Sequence, residues 1–317
     1  MTNSTEKHLL SIVVPCFNEI DVIPETIKRL RSVLTNLIEN GDVDPESQIW
    51  FIDDGSSDNT WQFIKSATVE DPHIKGLKLS KNRGHQNALL AGLLNIPGDA
   101  LVSIDADLQD DVNVIEEMVA AWIGGVDIVY GVRKTRNSDT FFKQQSAQTY
   151  YRVLKLFGVD AVYNHADFRL ISRRAIEALR DYSEVNLFLR GMVRHLGFAS
   201  SIVEYDRTER FAGESKYPLK RMIGLAIDGV TSFTATPLRF IAVLGLIIFL
   251  GSISLTIWAL WVGIVNEEAV PGWASSVIPI YFLGGIQLLS IGILGEYIAK
   301  IYLESKQRPR YIIDEIV

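Results

Sequence analysis

Residues 100–110 read ALVSIDADLQD. The apolar run 100–104 predicts a buried strand, and it delivers two carboxylates one residue apart, Asp105 and Asp107. Gln109 follows two residues later, with Asp110 and Asp111 behind it. Hard oxygen ligands gathered at a strand end suit Mg²⁺ or Mn²⁺ shared with substrate phosphates. An Asp-x-Asp pair alone says little in a chain with 38 acidic residues, since most such pairs are solvated turns. The pair gains weight from a second acidic strand end upstream, residues 48–58, QIWFIDDGSSD. In an open α/β sheet, ligands collect beyond the carboxyl ends of strands. Two acidic ends in one sheet point to a nucleotide and a metal held side by side.

Working outward, apolar runs at 9–14, 48–54, 74–79, 100–105 and 127–133 alternate with helical patterns at 22–38, 61–69, 87–94 and 112–122. This alternation predicts an α/β domain with a mostly parallel, doubly wound, Rossmann-like sheet. Asp58 is placed to cap the helix at 61–69. Neither G-x-G-x-x-G nor G-x-x-x-x-G-K-[ST] occurs, so the usual dinucleotide and P-loop fingerprints are missing. A metal on Asp107 is the natural substitute for a glycine-rich phosphate nest. Farther on, 138–156 reads as a helix carrying Lys143 and Arg152, and 163–172 as a strand carrying Asp167 and Arg169. A helical stretch at 185–196 and a strand at 199–205 follow. Arg207, Arg210 and Lys216 then surround Gly213 in a polar loop, read as a lid over phosphates rather than a solvated hinge. Residues 310–317 form a short strand, either free or paired with another subunit.

Composition narrows the function. A net charge of −7 and a pI near 5.4 argue against nucleic acid as a partner. The single cysteine, Cys16, allows no internal disulfide and reads as a small buried hydrophobe at a strand end, not a reactive thiol. Residues 240–265 give 26 positions without a charge and 269–295 give 27 more, each long enough to span a bilayer as a helix. Lys216, Lys220, Arg221 and Arg239 precede the first span, and Lys300, Lys306, Arg308 and Arg310 follow the second. The connection carries Glu267 and Glu268 and no cation. By the positive-inside rule both termini and the globular part face the cytoplasm. Residues 219–233 form an amphipathic helix fit for the membrane interface. The expected organisation is therefore a catalytic domain over 1–217, a juxtamembrane amphipathic helix over 218–236, a two-span domain over 237–303 and a cytoplasmic tail over 304–317. No signal peptide is expected, because the apolar run at 9–14 is too short.

The motifs at 14–19 (VPCFNE), 53–58 (DDGSSD), 82–86 (NRGHQ) and 105–109 (DADLQ) resemble, in order and spacing, the GT-A glycosyltransferases of family 2. The segments 166–170 (ADFRL) and 210–217 (RFAGESKY), followed by two spans, are similar to the polyisoprenyl-phosphate hexosyltransferases, closer to the bactoprenol glucosyltransferases than to the dolichol-phosphate mannose synthases. The resemblance implies a GT-A catalytic domain that moves a hexose, glucose first, from a UDP-sugar to polyprenyl (undecaprenyl) phosphate with inversion. It implies that Pro15, Phe17, Asn18, Glu19, Asp53 and Asp105 hold the nucleotide, and that Asp107 and Gln109, with Asp105, hold Mg²⁺ or Mn²⁺. It further implies that Arg133, Lys143 and Ser146 receive the lipid phosphate, that Arg210 and Lys216 close over the phosphates, and that Asp167 is an essential carboxylate. Whether Asp167 is a base or an orienting group stays open. The alternatives are a GDP-mannose-dependent mannose synthase and a non-catalytic nucleotide-sugar-binding scaffold. Gly245, Gly251, Gly284, Gly285 and Gly292 permit close helix packing, so a homo-oligomer is expected.

Overall fold

The computed structural model describes residues 8–133, 165–182, 184, 189–206 and 273–317, with helical positions scattered between 238 and 261. The chain divides into two compact units, residues 1–151, 160–217 and 308–317 in one, residues 152–159 and 218–307 in the other. The helix expected at 138–156, the loop at 207–217 and the amphipathic helix at 219–233 fall outside the described residues.

In the first unit the strands are β1 (Leu10–Cys16), β2 (Gln48–Asp53), β3 (Ile74–Leu79), β4 (Ala100–Ser103), β5 (Ile128–Arg133), β6 (His165–Ser172), β7 (Ser200–Tyr205) and β8 (Ile313–Ile316). They form one sheet in the order β7-β5-β6-β4-β1-β2-β3-β8. The helices are α1 (Ile23–Glu39), α2 (Thr60–Glu70), α3 (His85–Asn95), α4 (Val114–Ile123), α5 (Arg173–Arg180) and α6 (Leu189–His195). β1 is buried along its whole length, as a central strand covered on both faces must be. Its side chains alternate: Leu10, Ile12 and Val14 pack with α1 and α4, while Val13 packs with α3. α1 presents Ile23, Thr26, Leu30, Val33, Leu34 and Leu37 to the core at helical spacing. It ends where Gly41 turns to φ +78°, with the Gly41 N–H donating to Ile38 and the Asp42 N–H to Leu37.

The parallel core β4-β1-β2-β3 is the one the alternating pattern predicts. The sheet as a whole is mixed. β6 lies antiparallel between β4 and β5, with Ser103 and Tyr130 both opposite Arg169. Smaller differences are local. β4 ends at Ser103, two residues before the predicted strand end, so Asp105 sits in the loop. Asp58 lies ahead of the α2 cap position, Asn59, and its carboxylate accepts the Thr60 N–H at 2.9 Å. The short strand expected at 310–317, free or paired with another subunit, is instead paired within its own chain. It is β8, antiparallel to β3. The Trp61 indole N–H (2.9 Å) and Lys65 (2.7 Å) both reach Glu315, and Tyr311 takes a hydrogen bond from Asn95 at 2.8 Å.

In the second unit α7 (Trp273–Ser305) runs for 33 residues, about 50 Å at the ordinary helical rise. Its stretch Ile286–Ser305 is the one helix among the described residues long and apolar enough to cross a membrane. Described helical positions between 238 and 261 include exposed Phe240, Val243, Leu246, Leu250, Ile257 and Trp261.

α3 crosses β1 and β2 at Gly92, where an added Cβ would stand 2.5 Å from Val13 Cγ1 and 3.0 Å from Ile52 Cγ1. Crowding of that kind costs about 1–3 kcal/mol, against a helix-propensity gain of about 1 kcal/mol. Gly92→Ala is therefore expected to lower the unfolding midpoint of the purified protein, followed by tryptophan fluorescence. A raised midpoint would mean that α3 moves off the sheet at no cost.

Candidate active site

The order β3-β2-β1-β4 reverses direction at β1, so the loops after β1 and β4 diverge and leave a crevice at their carboxyl ends. On the β1–β2 side, Cys16 and Asp53 are register partners, which brings Pro15–Glu19 against the loop after Asp53. Asn18 adopts φ +56° and locks the two loops together. Its N–H donates to Ser56 Oγ at 2.9 Å, and its side-chain oxygen accepts the Ser57 N–H at 2.8 Å. Glu19 N–H donates to Thr60 Oγ1 at 3.0 Å. Asp53 is fully buried and accepts the Ser56 N–H; burial pushes its pKa up. Asp54 accepts the Arg83 and Gly84 N–H groups at 2.7 and 2.8 Å, tying in a third loop. Phe17 stays 41% exposed at the rim. Pro15, Phe17, Asn18, Glu19 and Asp53 thus lie together at the ends of β1 and β2.

On the β4 side, Leu108 turns the chain at φ +55°, and the Gln109 N–H donates to Asp107 at 3.2 Å. Among the described residues the buried Oδ1 of Asp105 accepts no hydrogen bond. His85 Nε2 stands 3.5 Å from that oxygen and 3.5 Å from Asp167 Oδ2. Asp167 also accepts from Arg169 Nη2 at 2.5 Å and, in a two-pronged contact, from Arg190 Nε at 3.2 Å and Nη2 at 3.1 Å. Burial works to raise the pKa of Asp167, but Arg190, His85 and Arg169 hold it well below the ordinary carboxylate range. Asp105 is pushed up to about 6, chiefly by burial, with His85 opposing. Burial disfavours a charged His85, and the contacts with Asp167 and Asp105 overcome this, raising its pKa to about 9.

Arg133, at the end of β5, sits against Asp110, with Nη2 at 2.9 Å and Nε at 3.2 Å. Tyr205 OH donates to the same oxygen at 2.5 Å. The guanidinium expected to meet a lipid phosphate is therefore held by a carboxylate from the DADLQD loop. Lys143, Ser146, Arg210 and Lys216 lie outside the described residues. His85, Arg190 and Tyr205 are not among the site residues expected from the sequence, and Asp110 enters there only as one more acidic residue behind Gln109. His85 does stand within one of the family-like motifs, NRGHQ, but nothing in the spacing shows that it bridges two strand ends.

Because the folded pKa of His85 lies above its ordinary 6.5, its bridge stabilises the fold fully below pH 6.5 and is lost as pH rises through about 9. NMR titration of the imidazole is expected to give a midpoint near 9, falling back toward 6.5 in Asp167→Asn. A midpoint indifferent to that substitution would refute the bridge.

A profile of glycosyl transferase family 2 matches residues 11–180. The chain is 49% identical over 308 residues to the uncharacterized glycosyltransferase YkoT of Bacillus subtilis (strain 168), covering 96% of this chain and 91% of that protein. It is 41% identical over 308 residues to the bactoprenol glucosyl transferase of Shigella phage SfX, covering 96% and 98% respectively. Mannosyl-3-phosphoglycerate synthase from Rubrobacter xylanophilus superposes with a TM-score of 0.52 at 17% identity, over 73% of this chain and 74% of that one. That likeness is one of fold, and the mixed sheet on a Rossmann-like core agrees with the expected GT-A architecture. With the family profile covering the acidic strand ends and relatives aligned along nearly its whole length, the chain belongs to glycosyl transferase family 2.

Proposed function

We propose that this protein is a polyprenyl-phosphate hexosyltransferase, which moves a hexose, glucose in the first place, from a UDP-sugar to undecaprenyl phosphate with inversion. The observation that carries the reading is the division of one crevice into two chemically distinct halves. The β1–β2 half is a stitched set of loops around Asn18 and Asp53, with Phe17 at its rim, suited to a base and ribose. The β6 half is cationic, with Arg169, Arg190 and His85 around Asp167. Asp105 and Asp107 stand between them. The name of the Shigella phage relative supports a polyprenyl acceptor and a glucose donor.

The oxygen donors fit a divalent ion. Among the described residues no three His, Cys, Asp or Glu side chains form a complete metal cage. Asp105 nevertheless has a buried oxygen that accepts no hydrogen bond among the described residues, with only His85 Nε2 near it at 3.5 Å, and Asp107 and Gln109 follow on the same loop. Mg²⁺ commonly binds through one or two carboxylates, with substrate phosphates completing its shell. Held by Asp107 and Gln109 with Asp105, such an ion would neutralise charge on the departing diphosphate. The acceptor is a phosphate monoester with a second pKa of about 6, so its oxygen is largely ionised at neutral pH and needs no strong base. Asp167 matches that requirement. Two guanidiniums and an imidazole engage its oxygens, so it serves to set cations rather than to take a proton. Displacement at the sugar carbon builds oxocarbenium character, and direct attack from the opposite face inverts the linkage.

On this reading Arg133, Lys143 and Ser146 receive the acceptor phosphate, and Arg210 and Lys216 close over the diphosphate. Two spans, the amphipathic helix over 218–236 and cytoplasmic termini hold the site at the height of the lipid headgroups, in a homo-oligomer. α7 supplies one helix of sufficient length and apolarity.

The test uses detergent-purified protein, undecaprenyl phosphate, Mg²⁺ or Mn²⁺ and radiolabelled UDP-glucose, with label counted after extraction into organic solvent. Metal-dependent label in the lipid phase is expected. Asp107→Asn should reduce it by about 100-fold or more, the scale of several kcal/mol of leaving-group stabilisation. Transfer from GDP-mannose alone would replace the donor, and metal-dependent UDP binding without transfer from any donor would favour a scaffold.

A further inference from the structure

Arg190 belongs to none of the motifs that point to the site, yet its placement is fixed from several sides. The preceding residue, Leu189, donates its N–H to Gln86 Oε1 at 3.2 Å and accepts Arg169 Nη1 at its carbonyl at 3.4 Å. The Arg190 guanidinium then lies two-pronged on Asp167. Asp167 already has a buried partner, since Arg169 is 0% exposed and 2.5 Å away. One negative charge therefore faces two guanidiniums, and the imidazole of His85 besides. The second guanidinium does not serve burial, because the Arg190 side chain stays 40% exposed. An exposed cation held rigid by a buried carboxylate is a site for an anion, and a planar guanidinium suits phosphate oxygens.

Sheet order says from which side that anion comes. β6 lies on the side of β4 away from β1 and β2, where the nucleotide half is built. A donor diphosphate reaches the β4 loop from the β1–β2 side, and an acceptor arrives opposite it, as in-line displacement requires. We propose that Arg190 is a phosphate-binding residue of this active site, set by Asp167 to meet the phosphate monoester of the acceptor. The inference rests on the transfer reaction proposed above.

The experiment compares wild type, Arg190→Gln and Arg190→Lys as full-length protein in detergent. It measures KM and kcat for undecaprenyl phosphate, UDP affinity by calorimetry and the unfolding midpoint. Removing a charge-assisted hydrogen bond to the substrate predicts an acceptor KM raised about 10- to 100-fold in Arg190→Gln. UDP affinity should stay within about twofold of wild type, and Arg190→Lys should recover part of the loss. A fall in kcat and unfolding midpoint with acceptor KM unchanged would assign Arg190 to structure alone. Weakened UDP binding with acceptor KM unchanged would assign it to the donor phosphates. Both results overturn the proposal. Should wild type transfer no sugar from any donor, the transfer reading fails on its own, and the residue is tested by binding of undecaprenyl phosphate micelles. Weaker binding in Arg190→Gln than in wild type upholds its role; equal binding overturns it.

Discussion

β6 enters the sheet against the direction of β4, with Arg169 opposite Ser103, and this register carries the first residues of β6 past the end of β4 to Asp105. Ser103 fixes it with its hydroxyl, donating to the Asp167 carbonyl at 2.5 Å. Side chains alternate along the strand, so Asp167, Arg169 and Ile171 share one face while Phe168 and Leu170 pack into the core on the other. A slip of one residue would exchange these faces, sending Asp167 into apolar packing and Phe168 to the crevice. Had β6 run parallel to β4, its opening residues would lie at the opposite end of the strands, and His85 would bridge nothing. The site depends on this reversal more than on any single loop.

The arrangement is costly for stability. Arg169 is completely buried, and its Nε has no acceptor among the described residues. A buried ion pair recovers its desolvation only with excellent geometry, and removing one partner is worth about 3–5 kcal/mol of destabilisation. An apolar pair would pack the same space with less risk. Retaining a guanidinium and a carboxylate at the end of the sheet makes sense where the field they create is used, and the half-exposed Arg190 and His85 mark the outlet of that field.

Much of this is legible in the chain. Continuous apolar runs mark the buried parallel strands, and the acidic residues that follow them mark the crevice, because both signals are local. What stays hidden depends on direction or on contacts among distant segments. Apolar periodicity reads the same in both directions, so a strand carrying Asp167 and Arg169 can be placed at 163–172 without revealing that it runs backwards. The clamp on Asp167 joins α3, β6 and α6, and no spacing in sequence encodes three such partners. Residues 310–317 show a strand but not its partner. The decisive features there are Gly76, which leaves room for Val317, and the indole of Trp61 aimed at Glu315. That pairing also covers the β3 edge, which would otherwise offer open hydrogen-bonding groups to other chains.

Arg133 and Arg190 belong together physically although they come from different elements. Each is an arginine on the β5–β6 side of the crevice, and each is held by a carboxylate, Asp110 for the first and Asp167 for the second. A long side chain brought to a dianion from free rotation loses entropy at the moment of binding. One already held on a carboxylate has lost it during folding, so the cationic half of the site stands ready before substrate arrives. The two carboxylates also temper the attraction, since a phosphate must share each guanidinium with its holder. If the proposed transfer holds, a site that releases a glycosylated lipid phosphate after every turnover is better served by shared cations than by unopposed ones, because an acceptor bound too tightly in the ground state gains nothing in rate.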